Sequence, residues 1–359
     1  MVSAGDLAAF ANKRVLVTGD TGFMGSWLSL WLAELGAEVT GLALPVKPAN
    51  VLFPQIAAAG LVRHVDCDIR DLDATRRTIA AARPEFVFHL AAQALVRLSY
   101  AEPQLTFATN LLGSVNVLEA VRDCESVRSL VFITSDKCYL NKEWLWGYRE
   151  NDELGGRDPY SASKACAELA FRAYSDSFWS RRDGLGAAST RAGNVIGGGD
   201  RSRDRIVPDA IAALEAGKPI VLRNPRATRP WQHALDPLHG YLKLGAALAR
   251  DPKGFAGPWN FGPDEHSIRT VDDLARKTAA AWGGGEVVHQ PDPAAPHEAT
   301  LLHLSSDKAH RLLGWRAQWD FGRAVAETAG WYRAVHDGTA PLDVSRRQIS
   351  AYMQEACAK

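Results

Sequence analysis

Short apolar runs alternate with longer stretches of helical periodicity through the first half of the chain. The runs are rich in β-branched and aromatic residues, and they predict strands at 14–18, 38–42, 86–90 and 129–134, with weaker ones at 61–65 and 187–191. The intervening patterns predict helices at 23–35, 72–82, 105–123 and 160–179. Fully apolar strands alternating with helices indicate βαβ units. The sequence therefore predicts an α/β fold, a Rossmann-like doubly wound parallel sheet whose ligand crevice lies at the carboxyl ends of the strands.

The regular alternation ends near Arg191. Residues 190–232 are rich in Gly, Pro and Arg, and helical patterns return around 206–216, 237–249, 270–282 and 321–335. This change predicts a smaller mixed α/β C-terminal substrate domain, interleaved with the last pieces of the sheet. We expect residues 1–191 and roughly 233–263 to form the dinucleotide-binding domain. Residues 192–232 and 264–359 are expected to form the second domain.

The charge balance excludes several classes of protein. Among 359 residues there are 41 Lys and Arg against 41 Asp and Glu, so the formal net charge is zero. A duplex nucleic-acid or anionic-membrane binder needs a basic excess, so neither partner is expected. The first residues lack the basic start and apolar run of a signal peptide, and the most apolar stretch, 23–44, contains charged and glycine residues that argue against a membrane span.

The five cysteines carry no metal or disulfide pattern. They form no CxxC pair and have no regular spacing with histidine, so neither a zinc site nor any other metal site is expected. Scattered thiols of this kind are typical of a protein in a reducing compartment. We therefore expect a cytoplasmic protein.

A glycine-rich turn follows the first predicted strand and precedes an apolar helix. Its three glycines, spaced Gly-x-x-Gly-x-x-Gly, allow a tight turn and let backbone N–H groups approach a pyrophosphate. A purely structural turn is the alternative interpretation. The candidate dinucleotide-binding residues in this turn are Gly19, Thr21, Gly22, Phe23, Met24 and Gly25.

The second strand does not select between NAD and NADP. It ends in Gly41-Leu42-Ala43-Leu44-Pro45, without the acidic residue that binds a ribose 2′-hydroxyl and without an arginine for a 2′-phosphate. The segment after the third strand, Asp68, Ile69 and Arg70, is a candidate for flanking the adenine. A solvated loop is the alternative for this segment.

A tyrosine and a lysine lie one helical turn apart in Tyr160-Ser-Ala-Ser-Lys164. An ammonium group beside a phenol stabilises the phenolate, which lets the tyrosine act as a base. Ser135 ends a predicted strand and could share a substrate oxygen with Tyr160. The order of glycine turn, strand-end serine and YxxxK is more specific than YxxxK alone.

With this set the chain resembles the extended short-chain dehydrogenase/reductase family. Longer runs make it similar to the CDP-glucose 4,6-dehydratases within that family, over nearly the whole chain. These runs are SDKCY at 135–139, NKEWLWGYREN at 141–151, DPYSASK at 158–164, RAGNVIGGGD at 191–200 and RPWQH at 229–233. The resemblance implies an NAD-dependent lyase that oxidises C4 of a nucleotide-linked hexose, eliminates water across C5 and C6, and returns the hydride to C6.

The resemblance also implies roles for individual residues. The catalytic set comprises Ser135, Asp136, Lys137, Tyr160 and Lys164. Asp136 is the candidate acid at the 6-hydroxyl, while Lys137 is either the base at C5 or a charge that stabilises the C4 enolate. Further cofactor contacts are expected from Ala91, Ala92, Gln93, Asn110, Tyr160 and Lys164. Substrate contacts are expected from Arg97, Asn194, Arg205, Arg229 and His297. Asn194, Arg205 and Arg229 lie in the segment 190–232, which has eight basic and four acidic residues.

The glycine turn departs from the family pattern at two positions. The family commonly has basic residues where this chain has Asp20 and Met24. A carboxylate beside a pyrophosphate is unfavourable, so we expect weaker cofactor affinity unless Asp20 points away or meets a ribose hydroxyl.

Other interpretations remain open at this stage. They are a dehydratase or epimerase of another sugar nucleotide, and a non-catalytic NAD-sensing protein. The base of the nucleotide rests on resemblance alone. Family members associate through the YxxxK helix and its neighbour, so a homodimer is expected, with a tetramer as the alternative.

Overall fold

A seven-stranded parallel sheet forms the centre of the molecule. The computed structural model describes residues 4–290 and 301–357 of the chain. The strands are β1 (Arg14–Thr18), β2 (Glu38–Ala43), β3 (Val62–Asp66), β4 (Phe86–His89), β5 (Ser129–Ile133), β6 (Gly186–Arg191), β7 (Val195–Ile196), β8 (Ile220–Leu222), β9 (Thr228–Pro230), β10 (Gln232–His233), β11 (Gly257–Asn260), β12 (Ile268–Thr270) and β13 (Val287–His289). The sheet has the order β11-β6-β5-β4-β1-β2-β3, and every pairing within it is parallel.

Helices cover both faces of this sheet. They are α1 (Phe23–Glu34), α2 (Phe53–Ala58), α3 (Leu72–Ala82), α4 (Val96–Ala101), α5 (Pro103–Phe107), α6 (Ser114–Arg122), α7 (Pro159–Tyr174), α8 (Ile206–Glu215), α9 (Leu235–Arg250), α10 (Val271–Trp282), α11 (Phe321–His336) and α12 (Pro341–Cys357). One apolar core includes Trp27 and Trp31 of α1, and a second includes Val117 and Val121 of α6. The doubly wound prediction is confirmed.

The strand order places the ligand crevice. The chain runs outward from β1 through β2 to β3, and then crosses back to β4 on the other side of β1. The carboxyl ends of β1 and β4 therefore flank a switch point, where doubly wound sheets bind their ligands. The glycine turn follows β1, and Ala91 lies just beyond β4.

Two predicted helices are locally rewound. The helix predicted at 105–123 consists of α5, a π-helical turn at Ala108–Gly113, and α6. The helix predicted at 160–179 consists of α7 and a π-helical turn at Ser175–Trp179. Such turns contain an extra residue that periodicity alone does not reveal.

The second half of the chain forms three small two-stranded sheets, β7 with β10, β8 with β13 and β9 with β12. Within this half, β11 nevertheless belongs to the central sheet, since it pairs with β6, and α9 packs on that sheet. The helix α12 was not predicted, and its Met353 accepts a hydrogen bond from Trp31 Nε1 at 3.3 Å. The division into two domains by residue range remains a prediction.

Among residues 4–290 and 301–357, no helix combines the length and the apolar character needed to cross a membrane.

Candidate active site

The glycine turn requires glycine at the predicted positions. Gly19 has φ +77°, and a Cβ there would lie 2.8 Å from the backbone nitrogen of Ala91. A Cβ on Gly25 would overlap the carbonyl oxygen of Gly19. Gly22 precedes α1 and closes the turn by donating from its N–H to the Gly19 carbonyl at 2.9 Å. The turn is therefore held tightly against both β4 and the first turn of α1.

The first turn of α1 fits a pyrophosphate. Gly22 provides no side chain to cap the helix, and the first intrahelical bond runs from Ser26 N to Gly22 O at 2.9 Å. The preceding N–H groups, those of Phe23, Met24 and Gly25, thus have no helical partner. Free N–H groups at a helix N-terminus beside a glycine cradle are a suitable donor set for phosphate oxygens.

The segment after β4 is connected by hydrogen bonds to α7, the helix that carries Tyr160 and Lys164. Gln93 N donates to Asn110 Oδ1 at 2.8 Å, and Asn110 Nδ2 donates to Gln93 O and to Ser163 Oγ, both at 2.9 Å. Asn110 is fully buried. Since its amide is engaged in this way, Asn110 positions the backbone around Ala91, Ala92 and Gln93 in this structure.

Asp20 points away from the expected pyrophosphate position. Its side chain is fully buried, and a Cβ on Gly41 of β2 would overlap its carboxylate. Its Oδ2 lies 2.7 Å from Nδ1 of His64 on β3. A carboxylate beside a pyrophosphate avoids repulsion if it points away or if it meets a ribose hydroxyl. The structure shows Asp20 pointing away. Met24 is partly buried and packs against the core that contains α1.

Asp68, Ile69 and Arg70 follow β3 in a compact turn. The guanidinium Nε of Arg70 donates to both carboxylate oxygens of Asp68, at 3.0 and 2.9 Å. This pairing lowers the pKa of Asp68. Ile69 is buried, and a Cβ on Gly113 would lie 2.8 Å from its Cδ1. Contact of this turn with adenine remains a prediction.

The structure places Tyr160 and Lys164 one turn apart on α7 and brings Ser135 into hydrogen-bonding contact with Tyr160. Asp158 caps α7 by accepting from Ser161 N at 2.9 Å, and Pro159 begins the helix, so Tyr160 and Lys164 lie in its first two turns. Burial raises the pKa of Tyr160 to about 12, while a hydrogen bond with Ser135 opposes the shift. Burial lowers the pKa of Lys164 to about 8, and the charge of Glu168 opposes that shift. The cation that acts to lower the pKa of Tyr160 is Arg205, and Lys164 lies one helical turn further along α7.

Asp136 and Lys137 lie directly beside this set. Ser135 Oγ donates to Asp136 Oδ1 at 2.9 Å, and Asn194 Nδ2 lies 3.4 Å from Asp136 Oδ2. Lys137 Nζ lies 3.7 Å from Asp136 Oδ1. Asp136 is buried, whereas the Lys137 side chain is 32% exposed. The arrangement places a carboxyl group and an amino group side by side next to Ser135.

Sequence reasoning missed the buried ion pair beneath these residues. Arg191 Nη2 donates to Glu168 Oε2 at 2.8 Å, and both side chains are 3% exposed. Ser189 Oγ donates to the same oxygen at 2.8 Å, and Thr134 donates to Oε1. Glu168 lies four residues after Lys164, and this i, i+4 spacing is the signal that could have identified it.

The candidate substrate residues fall into three groups. Asn194, with φ +53°, contacts Asp136, and Arg229 lies on β9 with Nη1 donating to Thr228 O at 2.8 Å. Arg97 and Arg205 are paired with acidic side chains, Asp204 at 3.1 Å and Asp200 at 2.9 Å. His297 lies outside the described residues.

Fewer basic side chains of 190–232 are available to a ligand than the charge count of this segment suggests. Arg191 is buried against Glu168, and Arg201 forms a two-pronged pair with Glu215 at 2.9 and 3.0 Å. These two arginines stabilise the fold and do not face a ligand crevice as free cations.

The chain matches a protein-family model described as GDP-mannose 4,6 dehydratase over residues 16–328. It is 45% identical over 346 residues to the CDP-glucose 4,6-dehydratase of Salmonella typhimurium (strain LT2), covering 95% of this chain and 96% of that protein.

Two solved structures share the fold and much of the length. The dTDP-glucose 4,6-dehydratase of Streptomyces venezuelae, with NAD bound, has a TM-score of 0.76 and 26% identity, covering 92% of this chain and 99% of its own. The UDP-glucose 4-epimerase of Thermus thermophilus, in complex with NAD, has a TM-score of 0.73 and 31% identity, covering 89% and 99%. With the glycine turn and the Ser-Tyr-Lys set in place, this chain belongs to the GDP-mannose 4,6-dehydratase family of the extended short-chain dehydrogenase/reductases.

Proposed function

We propose that this chain is an NAD-dependent CDP-glucose 4,6-dehydratase, which converts CDP-D-glucose to CDP-4-keto-6-deoxy-D-glucose and water. The observation that carries the proposal is the grouping of Asp136 and Lys137 with Ser135, Tyr160 and Lys164. A plain dehydrogenase or epimerase uses only the last three, whereas elimination requires a further acid and base. The 45% identity to a CDP-glucose 4,6-dehydratase supports the choice of substrate.

The glycine turn and the first turn of α1 would hold the pyrophosphate of NAD. NAD held there would supply the acceptor for a hydride from C4 of the sugar and the donor of that hydride to C6. Gln93 and Asn110 keep the backbone beyond β4 close to the turn, with Asn110 joined to α7 through Ser163. The cofactor and the catalytic helix are thereby held in one frame.

Tyr160 removes the proton of the sugar 4-hydroxyl. Its pKa of about 12 is too high for this task at neutral pH unless the phenolate is stabilised when substrate and cofactor are present. Lys164 supplies a positive charge one helical turn away, and Ser135 hydrogen-bonds the phenol. The resulting C4 ketone makes the C5 proton acidic enough to be removed.

Asp136 and Lys137 carry out the elimination. Lys137 takes the C5 proton, and Asp136 gives a proton to the departing 6-hydroxyl, which leaves as water. Tyr160, which holds the proton taken from the 4-hydroxyl, is linked to Asp136 through Ser135 and can return a proton to that acid. When hydride reaches C6, the electron pair of the C5–C6 double bond moves to C5, which takes back the proton held by Lys137 and completes the 6-deoxy-4-keto product.

The second domain would bind the nucleotide portion of the substrate. Asn194 and Arg229 are the proposed contacts to the diphosphate, because an amide and a guanidinium suit phosphate oxygens. Arg97 and Arg205 would serve there only by exchanging their pairs with Asp204 and Asp200 for substrate oxygens. His297 is a further proposed contact.

Exposed apolar side chains support association of two copies through α6, α7 and the adjoining π-helical turns. Leu112, Leu169 and Phe178 are 59%, 54% and 45% exposed in the single chain. Light scattering during gel filtration should give twice the chain mass of 39.0 kDa. Four times that mass would indicate the tetramer.

We also infer a cytoplasmic location, supported by the free thiols of Cys67, Cys124, Cys138 and Cys166.

The test is incubation of the purified protein with CDP-, UDP-, GDP- and dTDP-glucose, followed by the 4-keto-6-deoxy chromophore in alkali. The expected result is a signal with CDP-glucose that falls by about 10²-fold or more in Tyr160→Phe. Tyr174→Phe, on the same helix but away from Ser135, is the matched control and should keep the activity. No turnover of CDP-glucose would overturn the proposal.

A further inference from the structure

The end of β2 lacks the carboxylate that doubly wound proteins use for the adenosine ribose. Its last residue is Ala43, and the glycine turn is joined to this end of the strand because Gly19 N donates to Leu42 O at 2.8 Å. A pyrophosphate on α1 therefore places the adenosine ribose over the carboxyl ends of β2 and β3. A hydroxyl-binding group is needed there.

The neighbouring strand provides a carboxylate at the same level. Ala43 of β2 is the register partner of Asp66 of β3, and Gly41 is the partner of His64. In a parallel pair, register partners project on the same face of the sheet. Asp66 therefore lies on the face that carries Asp20 and α1, and the small side chain of Ala43 leaves room in front of it.

Of the three acidic side chains at this edge, only Asp66 combines an exposed side chain with an unpartnered oxygen among the described residues. Asp20 is fully buried over Gly41, and its unpartnered Oδ1 is buried with it. Asp68 has both oxygens engaged by Arg70. Asp66 is 66% exposed and uses Oδ1 for a 3.0 Å contact with His64 Nε2, while its Oδ2 has no partner in the parts of the chain that the structure describes.

His64 fixes the orientation of Asp66. Its ring contacts Asp20 through Nδ1 and Asp66 through Nε2, and it packs edge-on against Phe53 with ring centroids 5.3 Å apart. A ring held on three sides keeps Asp66 Oδ1 in one place. The second oxygen, Oδ2, then remains available to accept a hydrogen bond from a ligand.

We propose that Asp66, held by His64 and Asp20, binds the 2′-hydroxyl of the cofactor's adenosine ribose and thereby selects NAD over NADP. The inference rests on NAD being the cofactor in the proposed function. A carboxylate accepts a hydrogen bond from a hydroxyl, and it repels the 2′-phosphate of NADP. The acidic residue absent from β2 is thus replaced by one on β3.

The test is a double-mutant-type cycle in which the Asp66 carboxylate and the 2′-hydroxyl of the adenosine ribose are removed separately and together. Calorimetry would measure the affinity of purified full-length protein, freed of co-purified cofactor, for NAD, 2′-deoxy-NAD and NADP. In the wild type, NAD should bind about tenfold or more tightly than 2′-deoxy-NAD, which corresponds to one hydrogen bond to a charged group. In Asp66→Ala, that ratio should fall toward one, and the preference for NAD over NADP should narrow.

The matched control is Asp183→Ala, because Asp183 is 99% exposed and lies near Lys253 rather than near His64. It should keep both ratios of the wild type. An Asp66→Ala protein that keeps the wild-type ratio of NAD to 2′-deoxy-NAD would overturn the assignment. Failure of the wild type to bind NAD at all would instead overturn the cofactor in the proposed function.

Discussion

Arg191 on β6 and Glu168 on α7 form an ion pair in the protein interior, with Nη2 and Oε2 2.8 Å apart, and Glu168 lies one helical turn after Lys164. The pair has further hydrogen bonds, since Arg191 Nη1 donates to Tyr139 at 2.6 Å and Ser189 donates to Glu168. It thereby connects the helix of Tyr160 and Lys164 to the segment that follows Asp136 and Lys137.

Glu168→Gln should reduce the free energy of unfolding by about 3 to 5 kcal/mol, because it leaves a buried guanidinium without its counter-charge. Urea denaturation measures the change. Asp176→Asn removes an exposed partner of Arg172 further along the same helical segment, where the two side chains are 69% and 77% exposed, and should cost less than about 1 kcal/mol. Equal losses in the two variants would contradict the role given to the buried pair.

The pair of Asp20 and His64 predicts a pH dependence of stability. Partial burial acts to lower the pKa of His64, but the contacts with Asp20 and Asp66 outweigh it and raise that pKa. Burial likewise raises the pKa of Asp20. Both groups bind their protons more tightly in the folded state. The contribution of His64 is therefore fully present below its ordinary value of 6.5 and is lost as pH rises through its raised pKa, whereas that of Asp20 is already being lost above its ordinary value of 3.8.

The measurement is the urea midpoint of the wild type and of His64→Gln at about pH 6 and about pH 8.5. We expect the advantage of the wild type to be about 1.5 to 3 kcal/mol at the lower pH, as for hydrogen bonds to charged groups, and smaller at the higher pH. The exposed His266 offers His266→Gln as a control, which should follow the wild type at both values. An advantage that grows with pH would refute the assignment.

Two glycine substitutions should act in opposite directions. In Gly25→Ala the added Cβ would overlap the carbonyl oxygen of Gly19. We therefore expect the free energy of unfolding to fall by about 3 kcal/mol or more, and cofactor binding to be lost. Gly330 lies exposed in α11 with no atom within 4 Å of an added Cβ. Gly330→Ala should stabilise the protein by about 0.5 to 1 kcal/mol, read as a higher urea midpoint with NAD affinity unchanged.

Lys137→Ala tests the assignment of the C5 base. In deuterated water with CDP-glucose, we expect incorporation of deuterium at C5 to slow by about 10²-fold or more, followed by NMR. Lys142→Ala, which removes a half-exposed lysine in the following loop, should keep the wild-type rate. Exchange at the wild-type rate in Lys137→Ala would leave Lys137 as a stabiliser of the enolate and not its base.

The sequence predicted the sheet well because its strands are buried and apolar. The strand at 14–18 and the helix at 72–82 have the predicted bounds, and the bounds of the other strands of the first half differ by one residue at most. The helix α12 was not predicted because charged residues interrupt its apolar positions. The strand β11 was not predicted because it begins with Gly257 and Pro258, which are uncommon in strands.

Residue type and local spacing were enough to propose Ser135, Tyr160 and Lys164 as site residues, and their roles remain predictions. The site was not predictable where partners come from distant strands. Asp20 alone indicates repulsion of a phosphate, and only the pairing of β2 with β3 shows that Gly41 makes room for it and His64 neutralises it. Arg191 similarly looks like a phosphate ligand until β6 places it against Glu168.

The π-helical turn at Ala108–Gly113 inserts one residue into an otherwise continuous helix. One residue corresponds to a rotation of about 100° around a helix axis. Asn110 can therefore face Gln93 and Ser163 while Val117 and Val121 still face the core. In a homologue without this residue, Asn110 could face Gln93 and Ser163 only if Val117 and Val121 turned away from the core. The length of this segment is therefore a requirement of the site.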